Sequence, residues 1–125
     1  MSSPRFAHRW LQWIEQRRWP EGVAALLPAD PEEVPGVRVW LALCELTRER
    51  PELTEIFEHA RGREHALLVD AGLGLDELDA DLVLAAVEGL RVRLCEPGAT
   101  VTVDGARTAL ARLLEHLGRT RAKSA

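Results

Sequence analysis

The chain has 125 residues and a formal net charge of −4 at pH 7, a length that suits one domain with a real hydrophobic core. Its basic residues are mostly interleaved with acidic ones, whereas contact with phosphates needs a concentrated basic surface. The sequence contains neither an apolar run of bilayer length nor a charged and then apolar leader. We therefore expect a cytoplasmic domain with no membrane contact and no direct DNA contact by this chain alone.

An amphipathic helix is predicted at the start of the chain. Ser3 offers an N-cap and Pro4 suits the first turn that follows. The helical face that comes next consists of Phe6, Trp10, Trp13 and Ile14. Trp19-Pro20 should end this helix after about residue 18. Two short turns over residues 21–27 and a proline-rich connection as far as Pro35-Gly36 are expected to follow.

Two further helices are predicted in the middle of the chain. Residues 37–46 are apolar nearly all round, which predicts a central, buried helix. The next helix should begin near Pro51, a residue suited to a first turn, and end at Ala71-Gly72. Its predicted core face consists of Leu53, Ile56, Phe57, Ala60, Leu67 and Leu68.

The last two predicted helices, over residues 79–95 and 103–117, carry more apolar surface than a small monomer needs. On the first, a core face is flanked by a stripe of mostly small side chains, which lets another helix come close. On the second, apolar residues repeat at three-four spacing. We expect both helices to meet a symmetric copy of the chain in a four-helix interface. The predicted interface residues are Leu82, Ala86, Gly89, Arg93, Ala106, Leu110, Leu113 and Leu117, with Arg93 at the rim and paired with a carboxylate.

Caps and breakers set the ends of these two helices. Asp76 or Asp79 can cap the first and Thr102 the second, and Pro97-Gly98 separates them. Residues 100–103 alternate like a strand but have no partner of similar pattern, so a loop is predicted. The expected fold is all-α, a bundle of about five to six helices over residues 1–118. A basic, disordered tail should follow over residues 119–125.

Residues that suggest chemistry are few. Cys44 and Cys95 lie in helical apolar patterns without metal or redox spacing, which predicts reduced core thiols. His59 and His65 share a helix, but a spacing of six turns their rings apart, and a surface pair of His59 with Glu55 is commoner than a metal site. No nucleophile signature or nucleotide-binding loop is present. We therefore expect no enzyme activity, no metal and no cofactor.

Five short segments together resemble the C-terminal regulatory domain of TetR-family transcriptional regulators, in particular the subgroup similar to the choline-responsive repressors. These segments are ALLPAD at 25–30, VRVWLAL at 37–43, PEL at 51–53, DLVLAAVEGL at 81–90 and ALARLL at 109–114. Members of that family carry an N-terminal helix-turn-helix, and nothing in this sequence resembles it. The resemblance therefore predicts a regulatory domain without its DNA-reading element.

The resemblance implies a helical sensor that dimerises through its last two long helices and binds a small, largely apolar effector inside each subunit. The residues compatible with such a cavity are Trp13, Trp40, Cys44, Thr47, Phe57 and Leu68. Arg48, Glu64 or His65 can supply further polar contacts. Aromatic residues at helical spacing are more commonly core, and charged residues within a helix are commonly solvated, so both interpretations stay open.

A different class of function also fits the sequence. The chain can be a ligand-free helical interaction protein that pairs with itself, or that sequesters a full-length regulator in a mixed dimer unable to grip two DNA half-sites. An effector that raises thermal stability would favour the sensor. A fully packed interior would favour the interaction protein.

Overall fold

The computed structural model describes Val23 and residues 25–124, with side chains as far as Thr120. This part of the chain contains no strand and four α-helices, which are α1 Val34–Leu46, α2 Thr54–Val69, α3 Glu77–Cys95 and α4 Val103–Ser124. Single 3₁₀ turns at Pro31–Glu33 and Pro51–Leu53 lead into α1 and α2. The all-α prediction is confirmed for the described residues. The helix predicted before Trp19 lies outside them.

The central helix is α3, which packs against α4, α2 and α1. Its buried residues are Ala80, Val83, Leu84, Val87 and Leu94. The prediction of residues 37–46 as the central buried helix is wrong, since α1 has no buried residue and Val39 is 60% exposed. A sequence that is apolar all round does not bury a helix when only one side of the helix meets the core.

Local signals explain where the helices begin. The Asp76 side chain accepts a hydrogen bond from the Asp79 N–H at 2.8 Å, and the Asp79 side chain accepts one from the Asp76 N–H at 3.4 Å. The two candidate caps thus form one capping box at the start of α3. At the start of α4, Thr102 Oγ1 accepts a backbone N–H at 2.9 Å, as predicted. Helix α1 begins at Val34, earlier than predicted, because Pro35 fits a first turn whose N–H groups lack helical partners.

A glycine with positive φ follows two of the helices. Gly72 follows α2 with a φ of 75°, and Gly98 follows α3 with a φ of 67°. A residue with a side chain is strained at such positive φ values, whereas glycine adopts them readily. Both glycines lie in the segments predicted to stop these helices, and that prediction is confirmed.

Helix α4 continues to Ser124, past Gly118. Residues 119–124 are thus helical where the sequence analysis predicts a disordered tail. These residues include arginine, alanine and lysine, which favour helix formation, and no proline or further glycine follows Gly118. In the described part of the chain, no helix has both the length and the apolar character required to cross a bilayer.

Two arginines fasten the segment before α1 onto the bundle. Arg107 of α4 is only 5% exposed and donates a hydrogen bond from Nη1 to the Ala29 carbonyl at 2.9 Å. Arg91 of α3 donates from Nε and Nη2 to the Leu26 carbonyl, at 3.0 and 2.6 Å. Leu26 and its neighbour Leu27 are buried in the core. This segment is therefore held beside α3, where two cavities open.

Candidate functional site

The first candidate site is a cavity of about 150 Å³ lined by residues of α1, α2 and α3. Its apolar lining consists of Trp40, Leu41, Cys44, Phe57 and Val92. The ring centroids of Trp40 and Phe57 are 4.7 Å apart, and the ring planes are inclined at 56°. Tilted aromatic pairs at this separation are favourable. The two rings give the cavity an aromatic wall.

Four charged side chains complete the lining and form two ion pairs. Arg91 Nη2 lies 2.8 Å from Glu64 Oε2, and these side chains are only 14% and 24% exposed. Arg61 Nη2 lies 3.2 Å from Glu88 Oε1, with side chains 64% and 49% exposed. The Arg91–Glu64 pair is therefore sheltered from solvent, while the Arg61–Glu88 pair is solvated and contributes little to stability. The formal charges of these four residues cancel.

A second cavity of about 270 Å³ adjoins the first. Trp40, Glu64 and Arg91 line both cavities, so these three side chains form a partition between them. The rest of the second lining includes residues 25–28, which precede α1, and Val37 within α1. Because Arg91 also binds the Leu26 carbonyl, the partition is tied to the segment before α1.

The smaller cavity brings together three of the predicted ligand-binding residues, Trp40, Cys44 and Phe57. Thr47 is not among its lining residues. The Thr47 hydroxyl donates to the Cys44 carbonyl at 2.7 Å, at the end of α1. Leu68 is fully buried in the hydrophobic core. Trp13 lies outside the described residues.

Of the further polar candidates, only Glu64 lines the cavity. Arg48 lies on the surface, and the Nε2 atom of His65 lies 3.3 Å from a carboxylate oxygen of α3. Arg61 and Arg91 were not predicted from the sequence as site residues. Both have glutamate partners on another helix, and no local spacing indicates such a pair.

Cys44 is the thiol of this site. Burial raises the pKa of Cys44 above its ordinary value of 9.0, and the nearby Arg61 guanidinium offsets only part of that effect. The thiol is therefore protonated at neutral pH. Since the thiolate is the nucleophile, we expect Cys44 to react slowly with alkylating reagents there.

The raised pKa of Cys44 has a consequence for stability in alkaline solution. The folded chain keeps the Cys44 proton to higher pH than the unfolded chain, so the free energy of unfolding should fall as pH rises above about 9. Urea unfolding of the wild type and of Cys44→Ala at about pH 8 and about pH 10 measures this effect. We expect a smaller alkaline loss in Cys44→Ala. An equal loss in both proteins would exclude Cys44 as a cause.

The second candidate site is an open apolar groove of about 550 Å³ between α3 and α4, called the α3–α4 groove below. Its lining consists of Ala86, Gly89, Leu90, Val92, Arg93, Ala109, Leu110 and Leu113. Only Arg93 carries a polar side chain. Leu82 lies one turn before Ala86 on α3 and is also exposed. Exposed apolar surface of this kind is typical of a surface that meets a partner.

Five predicted interface residues line the α3–α4 groove, namely Ala86, Gly89, Arg93, Leu110 and Leu113. Ala106 does not, because it is fully buried in the protomer's own core, where Leu110 is also almost fully buried. Leu117 packs against the edge of that core. Ala109, which the predicted set does not include, is exposed and lines the groove. No ion pair among the described residues involves Arg93, so its pairing with a carboxylate stays a prediction.

The two sites share a helix. Glu88 and Arg91 of α3 line the cavity, Gly89 and Arg93 line the α3–α4 groove, and Val92 lines both. A change in the position of α3 therefore alters both sites together.

Within the described ranges, no three His, Cys, Asp or Glu side chains are grouped so that they can hold a metal ion. Comparisons of the chain with protein-family models, with curated proteins and with solved structures found no match. A functional assignment therefore rests on the cavity between α1, α2 and α3 and on the α3–α4 groove.

Proposed function

We propose that this chain is a TetR-like effector-sensing and dimerisation domain, built as a helical bundle of the kind found in that family. In each protomer a small, largely apolar ligand binds in the cavity of about 150 Å³ between α1, α2 and α3. Two protomers pair through α3 and α4, and DNA binding is the task of a separate domain. The single observation that carries this proposal is the α3–α4 groove, an exposed apolar surface on the last two helices.

Gly89 supports a helix partner at this groove. A glycine inside a helix lowers the stability of that helix by about 1 kcal/mol relative to alanine. No atom lies within 4 Å of the position that a Cβ at Gly89 would occupy, so packing within the protomer does not require the glycine. Close approach of a second helix would make use of the missing side chain.

The shared helix α3 supplies a mechanism for sensing. A ligand that fits one position of α3 better than another shifts the population toward that position. Because Gly89 and Arg93 move with Glu88 and Arg91, the shift changes the geometry at which two protomers pair. The ligand-free interaction protein also uses the α3–α4 groove but gives the cavity no role, so the position of the cavity on α3 favours the sensor.

A substitution at Gly89 tests the proposal. Gly89→Leu should convert a dimer into a monomer, measured as mass by light scattering, because the added side chain fills the α3–α4 groove. Its melting temperature measured as a monomer should not fall below that of dissociated wild type, since leucine favours the helix and no atom of the protomer lies within 4 Å of the added Cβ.

Gly62→Leu is the matched control. Gly62 also lies inside a helix, α2, with no atom within 4 Å of its added Cβ position, but it does not line the α3–α4 groove. Gly62→Leu should therefore remain dimeric. A monomeric wild type, or a Gly89→Leu variant that stays dimeric, would refute the proposed interface.

A further inference from the structure

The cavity between α1, α2 and α3 also indicates the chemistry of its ligand. We propose that it binds an uncharged molecule with a single aromatic ring in preference to charged molecules of the same size. This inference rests on the proposed sensing function and names the ligand class for the same site.

Size is the first argument. The cavity measures about 150 Å³, a volume that is large enough for one benzene molecule. A ligand with two fused rings would have to displace the partition formed by Trp40, Glu64 and Arg91. The volume therefore favours a single ring with a small substituent.

The aromatic wall is the second argument. The tilted Trp40 and Phe57 rings offer both edges and faces, against which a third ring can pack edge-to-face or with an offset. Cys44 contributes a protonated, polarisable sulfur to the same lining, and sulfur packs favourably near aromatic rings. An aliphatic ligand of equal size would gain only the apolar contact.

Charge is the third argument. Each arginine of the lining is already paired with a glutamate. Arg91 directs Nε and Nη2 to the Leu26 carbonyl and shares Nη2 with Glu64. A ligand carboxylate at Arg91 would have to displace the sheltered Glu64 carboxylate, and a ligand ammonium at Glu64 would have to displace Arg91. Either ligand would lose its hydration without gaining a free counter-charge.

Three compounds with one aromatic ring and nearly equal size test the proposal, namely benzyl alcohol, benzoate, which is an anion at neutral pH, and benzylamine, which is a cation there. Each is titrated into the full chain while the indole N–H resonance of Trp40 is followed by NMR, and the alkylation rate of Cys44 is measured in parallel. We expect benzyl alcohol to bind at least about tenfold more tightly than either charged compound. It should also slow the alkylation of Cys44. Equal or tighter binding of benzoate or benzylamine would overturn the proposal.

Variants locate the binding. Cys44→Phe fills the cavity and should abolish the Trp40 response to benzyl alcohol. Leu43→Phe is the control, because Leu43 lies on the same helix but is exposed and does not line the cavity. If Cys44→Phe does not fold, Leu41→Phe fills the cavity from a second lining position and replaces it in the test. Undiminished binding in a folded cavity-filling variant would place the ligand elsewhere and overturn the proposal.

Two outcomes separate this inference from the proposed function. If Gly89→Leu binds benzyl alcohol like the wild type and the wild type is a monomer, the ligand class stands and the dimeric regulator fails. If the wild type is a dimer and binds a two-ring probe such as 2-naphthol more tightly than benzyl alcohol, the dimer stands and the single-ring class fails.

Discussion

Leu68→Ala is expected to lower the free energy of unfolding by about 2–5 kcal/mol. Leu68 is 0% exposed near the end of α2, so truncation removes apolar contacts and leaves a space that the surrounding core can only partly fill. Urea unfolding followed by circular dichroism measures the change. Leu68 was predicted both on the core face of its helix and among the ligand-binding residues, and the structure places it in the core.

Ile56→Ala provides the comparison for Leu68→Ala. Ile56 was wrongly predicted on the core face of the same helix, since it is 61% exposed. Its truncation should change the free energy of unfolding by less than about 0.5 kcal/mol. Similar losses of unfolding free energy in Leu68→Ala and Ile56→Ala would contradict the conclusion that Leu68 is buried in the core and Ile56 is exposed.

Arg107→Met is expected to cost about 3 kcal/mol of stability, because removal of one charge from a buried ionic cluster leaves the others without compensation. Methionine keeps much of the apolar stem of Arg107 but loses the hydrogen bond to the Ala29 carbonyl. Burial lowers the pKa of Arg107, and the carboxylates of Glu33, Asp104 and Asp30 oppose this shift. The fully buried Asp30 would lose a compensating positive charge.

The lowered pKa of Arg107 also fixes the pH dependence of this effect. The unfolded chain holds the Arg107 proton to higher pH than the folded chain. The free energy of unfolding therefore rises with pH only in strongly alkaline solution, where the folded chain loses this proton first. The difference in unfolding free energy between the wild type and Arg107→Met should therefore be constant between about pH 6 and about pH 9. Arg112→Met, at an exposed position of the same helix, should change stability by less than about 0.5 kcal/mol. A loss at Arg107 no larger than that at Arg112 would contradict the role given to the buried guanidinium.

The sequence predicted the start of α3, the start of α4 and the segments that follow α2 and α3, because the responsible interactions are local. Asp76 and Thr102 bond to backbone N–H groups three residues away, Gly72 adopts a positive φ after α2, and Pro97 favours the extended backbone of Glu96, where α3 ends. Burial was predicted less well, since a core face and an interface face repeat with the same helical period. The spacing of Ala106 and Leu110 fits both, and only the packing of α4 on α3 places them inside the protomer.

The candidate site could be predicted only in part, for a similar reason. Trp40, Cys44 and Phe57 stand out as apolar residues at helical spacing, and the structure brings them together. Arg61 and Arg91 could not be predicted, because each meets a glutamate of another helix only after the helices pack.

Helix α1 contributes Trp40, Leu41 and Cys44 to the cavity, yet it has no buried residue of its own. A segment with few buried contacts opens locally at a lower free energy than the whole domain unfolds. Amide hydrogens of Val34–Leu46 should therefore exchange with solvent sooner than those of Glu77–Cys95, the central helix. This wall of the cavity should thus open more readily than the central helix, and an occupied cavity would slow its exchange.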